Sequence, residues 1–333
     1  MAKIHGISGS TRYLQNGTRP IHGKKLATLE EITHFQSNYE QILSETEITV
    51  TKQQDEIILS LSHDEARLDS QLKEGIAQRT VEVDAQIHEM DMNVKNAGGF
   101  FPRLGCQIHY WIATSLRSHR INSPFSGIRR DLHDVQYRKN RHITNKPYVI
   151  RNECKNITDT QKFLIDNTSF LVGAKGEEHV ISVLSKLPDE YHILNDVNLH
   201  FRRYIYWRER NEHIKTCQID HVVIGPTGIF LLETKNWKSS DIEKKSDDLK
   251  HQVQRAGYAL WYYLKDDYWL GKMPKIRNVV ISMHGSQHGQ RFDKYIDVVP
   301  PRRLCEYITT RERTLSEDAI HKLIRLIPCR EVN

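Results

Sequence analysis

Gln218 to Trp237 reads QIDHVVIGPTGIFLLETKNW, two apolar runs on either side of Gly225-Pro226-Thr227-Gly228. They alternate as strands folded back on each other. A two-residue turn at Pro226-Thr227 sets Gly225 opposite Gly228, Ile224 opposite Ile229, Val222 opposite Leu231 and Asp220 opposite Glu233. Because side chains alternate along a strand, Glu233 and Lys235 share a face with Asp220, while Phe230, Leu232 and Thr234 face the other way.

Directly opposed residues have β-carbons about 4.5 to 5.5 Å apart, and like charges at that spacing destabilise the pair unless something compensates. A divalent cation is the natural compensator. Oxygen ligands of this kind suit Mg²⁺ or Mn²⁺, which activate water for attack on a phosphodiester. The Lys235 ammonium is then suited to orient that water or to stabilise charge developing on phosphorus. An isolated E-x-K is usually a solvated strand end with locally paired charges. The carboxylate across the hairpin is what favours a site.

Outward from the hairpin, Gly173-Ala174-Lys175-Gly176-Glu177-Glu178 leads into a helical pattern closed by Pro188. Tyr191 to Leu199 alternates as a strand. Downstream, Ser246 to Leu264 reads as a helix, Val279 to Met283 and Ile296 to Val299 as strands, and Thr314-Leu315-Ser316-Glu317 as a capping box before a last helix. These elements predict an α/β fold, a mixed sheet flanked by helices.

Gly173-x-x-Gly176-Glu177, Gln218-Ile219-Asp220-His221-Val222-Val223-Ile224-Gly225 and Gly228-Ile229-Phe230 running into Glu233-Thr234-Lys235-Asn236 together resemble the nuclease-related domain (NERD) family. That family is similar in turn to the PD-(D/E)xK restriction-endonuclease-like superfamily. The resemblance spans Phe170 to Leu264. It implies a restriction-endonuclease-like fold and a metal-dependent phosphodiesterase core, with Asp220 and Glu233 as metal ligands and Lys235 as the catalytic lysine. Glu177 matches the family's additional acid, which completes the ligand set or acts on the water. A glutamine on the following helix also belongs to the pattern. Gln252 fits by its distance to Ala259-Leu260 and is preferred, whereas Gln254-x-x-x-Tyr258 fits a related signature. The two differ by about 200° in direction, so one of them faces the site. Ile219 replaces the superfamily's proline, and Trp237-Lys238-Ser239-Ser240 lacks the glycine expected there.

Phe201 to Arg210, FRRYIYWRER, precedes Asp220. Arg202, Arg203, Tyr204, Trp207, Arg208 and Arg210 suit base stacking and phosphate contact with a nucleic acid. An edge strand with a protecting charged face is the structural alternative. His221 points to the opposite sheet face and reads as a packed core histidine. His284 and His288, in a Gly-rich loop, make a weak metal pair.

Residues 1–25 read as a flexible arm, residues 26–155 as a long helical, coiled-coil-like hairpin domain and residues 156–333 as the nuclease-like domain. In the second, Leu61, Leu68, Leu72, Ile76, Val83, Ile87, Met90 and Val94 trace an apolar stripe. Gly98-Gly99-Phe100-Phe101-Pro102 breaks the helix, and helical segments return over Leu104 to Leu116 and Ile128 to Arg141. Asn152 to Asp166 reads as a polar connector. The return is rich in basic residues, from Arg117 to Lys146, suited to phosphate backbones or to a solvated face. Gly23-Lys24-Lys25 lacks the spacing of a phosphate loop.

The 333 residues allow two units. A net charge of +6 permits a nucleic-acid partner. Five scattered cysteines without a C-x-x-C spacing fit neither a disulfide framework nor a zinc knuckle, and predict a cytoplasmic protein. No segment has the roughly 18 apolar residues of a membrane span, so no membrane partner is expected. The expectation is a Mg²⁺- or Mn²⁺-dependent nuclease acting on DNA ahead of RNA, with homo-oligomerisation through the helical domain. The alternative is a catalytically silent nucleic-acid-binding or assembly protein.

Overall fold

Tyr191 and the hairpin turn determine how the central sheet begins. Gly225 pairs with Gly228 across Pro226-Thr227, and the ladder continues through Ile224–Ile229, Val223–Phe230 and Val222–Leu231 to His221–Leu232. The Tyr191 ring lies so close over Gly225 that a β-carbon there would stand 2.2 Å from it, and its hydroxyl meets Thr227 Oγ1 at 3.1 Å. Any side chain at 225 would displace the ring that seals the turn.

The computed structural model describes residues 1–236, 246–265, 274–283 and 291–329. The chain forms two compact units, one of Met1–Tyr39 with Ile157–Asn333 and one of Glu40–Asn156. Trp237 to Ser240, His284 and His288 lie outside the described residues.

In the first unit the strands are β1 (Lys3–His5), β2 (His192–Trp207), β3 (Glu212–Gly225), β4 (Gly228–Lys235), β5 (Ile276–Ser282), β6 (Arg291–Asp293) and β7 (Ile296–Val299). They form one mixed sheet in the order β1-β2-β3-β4-β5-β7-β6. β1–β2, β4–β5 and β5–β7 are parallel, and the other pairs antiparallel. The helices of this unit are α1 (Gly9–Gly17), α2 (Leu29–Ser37), α7 (Thr168–Leu184), α8 (Ser246–Leu264), α9 (Pro301–Thr309) and α10 (Glu317–Leu326).

Alternation along the strands divides the core into two layers. Val222, Ile224, Ile229 and Leu231 pack with Leu249, Val253, Ala256 and Leu260 of α8 and Ile320 and Leu323 of α10. Val223, Phe230, Leu232, Val279 and Ile281 pack on the other face with Val180 and Leu184 of α7 and Leu304 and Ile308 of α9. The result is a sheet covered on both faces, the α/β arrangement expected from the sequence.

The structure departs from the sequence reading at several points. Residues 1–25 supply an edge strand and a helix to the first unit. β1 pairs with β2 from Lys3–His192 to His5–Leu194, and Ser8 caps α1 by accepting from the Thr11 N–H. Three paired residues and one short helix are too brief to carry a readable period. The strand read as ending at Leu199 continues to Trp207 across a register break between His200 and Ile205. A bulge of this kind erases the alternation that marks a strand. α9 follows the strand Ile296–Val299 across Pro300-Pro301, a pair that ordinarily ends an element. Pro301 instead begins the helix, where its missing N–H costs nothing.

In the second unit α3 (Tyr39–Asn96) is followed by α4 (Phe100–Ser115), α5 (Arg117–Asn122) and α6 (Ser126–Asp166), which runs on into the first unit. All eight residues of the apolar stripe on α3 are buried or half-buried. The return is antiparallel: Arg117 pairs with Asp84 at 2.6 Å, Lys139 with Glu65 at 2.7 Å and Lys146 with Asp55 at 2.6 Å. Exposed pairs of this kind are screened by solvent and add little, so the apolar stripe supplies most of the pairing energy. These pairs also neutralise part of the basic face. The supposed connector Asn152 to Asp166 belongs to α6, whose buried Ile157, Thr160 and Leu164 recur once per turn among polar residues.

Phe230 is fully buried, on the face of β4 opposite Glu233. Phe230→Ala is expected to lower the unfolding free energy by about 3–5 kcal/mol, read as a shifted denaturant midpoint of the first unit.

Candidate active site

Asp220 lies one residue beyond the last paired residues of the hairpin, His221 and Leu232. The ladder has opened there, and the Asp220 carboxylate takes the place of a backbone partner. Its Oδ2 accepts the Thr234 N–H at 2.9 Å. Glu233, on the neighbouring strand, is 2% exposed. Its Oε1 accepts from Lys235 Nζ at 2.7 Å and from Gln252 Nε2 at 2.6 Å. Gln252 belongs to α8, the helix packed on this face. Gln254 points elsewhere and accepts from Arg210 at 2.9 Å.

Glu177 arrives on α7 and is 7% exposed. Both its oxygens are held by Ser10, Oε1 by the hydroxyl at 2.5 Å and Oε2 by the backbone N–H at 3.2 Å. The first glycine of Gly173-x-x-Gly176-Glu177 has a packing reason. A β-carbon on Gly173 would meet Ser10 Oγ at 3.2 Å, and one on Gly176 would touch Thr234 at 3.5 Å. Gly173 lets α7 approach α1 closely, whereas the distance at Gly176 is an ordinary van der Waals contact.

Sequence reasoning missed Ser10 and Asp196. Ser10 stands in a stretch read as an arm, and its only signal was the Ser8 to Thr11 capping pattern before α1. Asp196 is 3% exposed with φ of 50°. It accepts from Gln218 Nε2 at 2.7 Å and Asn198 Nδ2 at 2.9 Å and pairs with Arg12 at 3.1 Å. Its charge adds to the negative field on Asp220.

Burial pushes the Glu177 carboxyl up to about 7, with the Asp220 charge as the next cause and the Ser10 hydrogen bonds opposing it. Asp220 is raised by loss of solvent and then by Glu233. Glu233 is raised by burial, against the pull of Lys235, with Glu177 adding to the rise. Three acids from three elements therefore oppose one another's ionisation.

That donor chemistry fits a hard divalent cation, which takes carboxylate oxygens and removes the repulsion between them. As the side chains stand, each acid is turned toward an internal partner. No group of three His, Cys, Asp or Glu close enough to hold an ion occurs among the described residues. Binding would require at least one carboxylate to turn from its present donor.

The other sequence candidates separate clearly. His221 is fully buried, donates from Nδ1 to Asn195 Oδ1 at 2.8 Å, and is driven by burial to a pKa of about 3. It is a neutral core residue. Trp207 is 3% exposed and stacks between His251 and Tyr258 at 5.7 Å from each, so its ring has no open face for a base. Arg202, Arg203, Tyr204, Arg208 and Arg210 are exposed. Among them Tyr204 lies under Lys215 and Arg210 is tied to Gln254.

A carboxyl whose folded pKa is raised stabilises the fold below its unfolded value and loses that contribution as pH climbs to the folded value. For Glu177 the window runs from 4.5 to about 7. The metal-free protein is expected to lose stability across that window. Glu177→Gln should flatten the loss and raise stability at pH 8 by on the order of 1–2 kcal/mol, measured by thermal denaturation in chelator.

The family model described as nuclease-related domain (NERD) matches residues 172–282. This span holds Glu177, Asp220, Glu233, Lys235 and Gln252, and amounts to a third of the chain. An uncharacterized protein of Bacillus anthracis is 40% identical over 67 residues, which are 20% of this chain and 27% of that protein. The chain thus spans about a quarter of that relative's length. With the hairpin, the two flanking helices and the coupled acids arranged as above, residues 172–282 form a nuclease-related domain.

Proposed function

We propose that the first unit is a metal-dependent nuclease that hydrolyses phosphodiester bonds, with DNA ahead of RNA as substrate. The observation that carries this reading is the mutual opposition of Glu177, Asp220 and Glu233 beside Lys235, a charge arrangement that costs stability unless a cation relieves it.

Asp220, Glu233 and Glu177 would hold Mg²⁺ or Mn²⁺. When bound, the ion would polarise the phosphodiester and make water a better nucleophile. Lys235 supplies the positive charge on the protein side. Its ammonium, now 2.7 Å from Glu233, is placed to orient the water or to donate to a phosphate oxygen as negative charge grows there. Gln252 fixes the Glu233 rotamer, the Thr234 N–H fixes Asp220, and Ser10 positions Glu177 with two hydrogen bonds. Arg202, Arg203 and Tyr204, exposed on β2, are suited to the substrate backbone. The helical unit serves assembly or substrate engagement.

A second reading, a silent nucleic-acid-binding protein on the same fold, draws support from the internal hydrogen bond that each carboxylate already makes. The two diverge on turnover. A panel of single- and double-stranded DNA and RNA, linear and circular, is expected to give products only with Mg²⁺ or Mn²⁺. Asp220→Ala and Lys235→Ala should each lower the rate by about 10²-fold or more while the protein stays folded. Binding without metal-dependent product from any substrate would establish the silent reading instead.

A further inference from the structure

From residue 92 to residue 130 the chain contains no aspartate or glutamate, while it carries Lys95, Arg103, Arg117, Arg120, Arg129 and Arg130. Two of these, Lys95 and Arg117, pair with Asp91 and Asp84 of α3, which leaves the local balance positive. Within this stretch lies α4, and its largest side chains are bare. Phe100 is 75% exposed, Phe101 82%, Trp111 69%, Ile108 50%, Leu104 45% and Ile112 43%.

At about 100° per residue these six fall within an arc of about 120° on the helix. Ala113, the buried residue of α4, lies about 180° from Leu104 on the same wheel. The helix therefore rests on its own unit by the side of Cys106, Tyr110 and Ala113, which are half-buried or buried, and turns a continuous apolar stripe to solvent. Soluble monomers rarely leave contiguous apolar patches larger than a few hundred Å² without a partner.

We propose that α4 is a docking helix for an anionic lipid bilayer. It would lie in the interface plane, with its apolar stripe among the acyl chains and the surrounding basic residues on the headgroups. Charge complementarity selects this occupant. A second copy of the chain would bring the same acid-free, basic surface against itself, since a two-fold contact repeats one patch on both sides. A nucleic acid would use the aromatic faces but offer nothing to Leu104, Ile108 and Ile112. Acyl chains accept all six. The helix lies on the membrane and does not cross it. Its 16 residues span about 24 Å, its apolar side chains are one-sided, and no helix among the described residues is long and apolar enough to span a bilayer. The sequence expectation of no membrane partner rested on the absence of a spanning segment, and binding at the surface is a separate matter that this proposal adds.

The test is flotation of the full-length chain with vesicles of phosphatidylcholine alone and of equal parts phosphatidylcholine and phosphatidylglycerol. The chain is expected to float with the anionic vesicles, to remain behind with the neutral ones, and to be partly released by salt. Ile108→Ser and Trp111→Ser should each weaken partitioning by about tenfold or more. Both replace exposed side chains, and an unchanged far-ultraviolet circular dichroism spectrum would show that the helices persist. Three results would overturn the proposal: no binding to anionic vesicles by the unaltered chain, equal binding by the two variants, or a self-associated species in sedimentation velocity that Ile108→Ser dissolves. The last would assign the stripe to a second copy.

Discussion

Mutual repulsion among three carboxylates, Glu177 and Glu233 buried and Asp220 half-buried, is the constraint on which this domain turns. A buried carboxylate is costly, and two that raise each other's pKa cost more. Glu177, Asp220 and Glu233 accept that cost from α7, β3 and β4 with one lysine in the group. Nothing in the packing of the sheet requires acids at these positions. The two apolar layers of the sheet include none of them. The proposed function assigns that cost to a ligand that brings positive charge.

The surrounding structure serves to hold that arrangement. The sealed turn at Gly225 fixes the register, and the register decides that Asp220 falls just where the ladder opens. α8 covers the same face as Glu233 and contributes Gln252 from its polar edge. α7 carries Glu177 close enough for the Asp220 charge to raise it, and Gly173 admits α1 with Ser10 behind it. Each device acts through backbone position, so small changes at glycine reach the carboxylates indirectly.

The hairpin was legible because its chemistry is local. Two glycines flanking a two-residue turn set the register, and period-two alternation assigned Glu233, Lys235 and Asp220 to one face. The sheet was legible for the same reason, as was the long stripe on α3. What escaped the sequence was non-local. Ser10 stands 167 residues from Glu177, and no pattern within either segment announces the other. Trp207 carries the composition of a stacking platform, but a bulge upstream decides which way it faces, and it faces the core. Asn152 to Asp166 has one buried residue per turn, too sparse to distinguish from a connector. The polar density of the α3 to α6 hairpin was clear from composition. The exposure of α4 required knowing that its covered side would be that of Cys106, Tyr110 and Ala113.

The most direct measurement is calorimetric titration of the full-length protein with Mn²⁺ at pH 7.5 in two buffers of different ionisation enthalpy. Acids held partly protonated by one another must release protons when a cation replaces that repulsion. Saturable binding with net proton release is predicted, abolished in Asp220→Asn. Absence of binding, or binding that Asp220→Asn leaves intact, would contradict the assignment of these carboxylates to a metal.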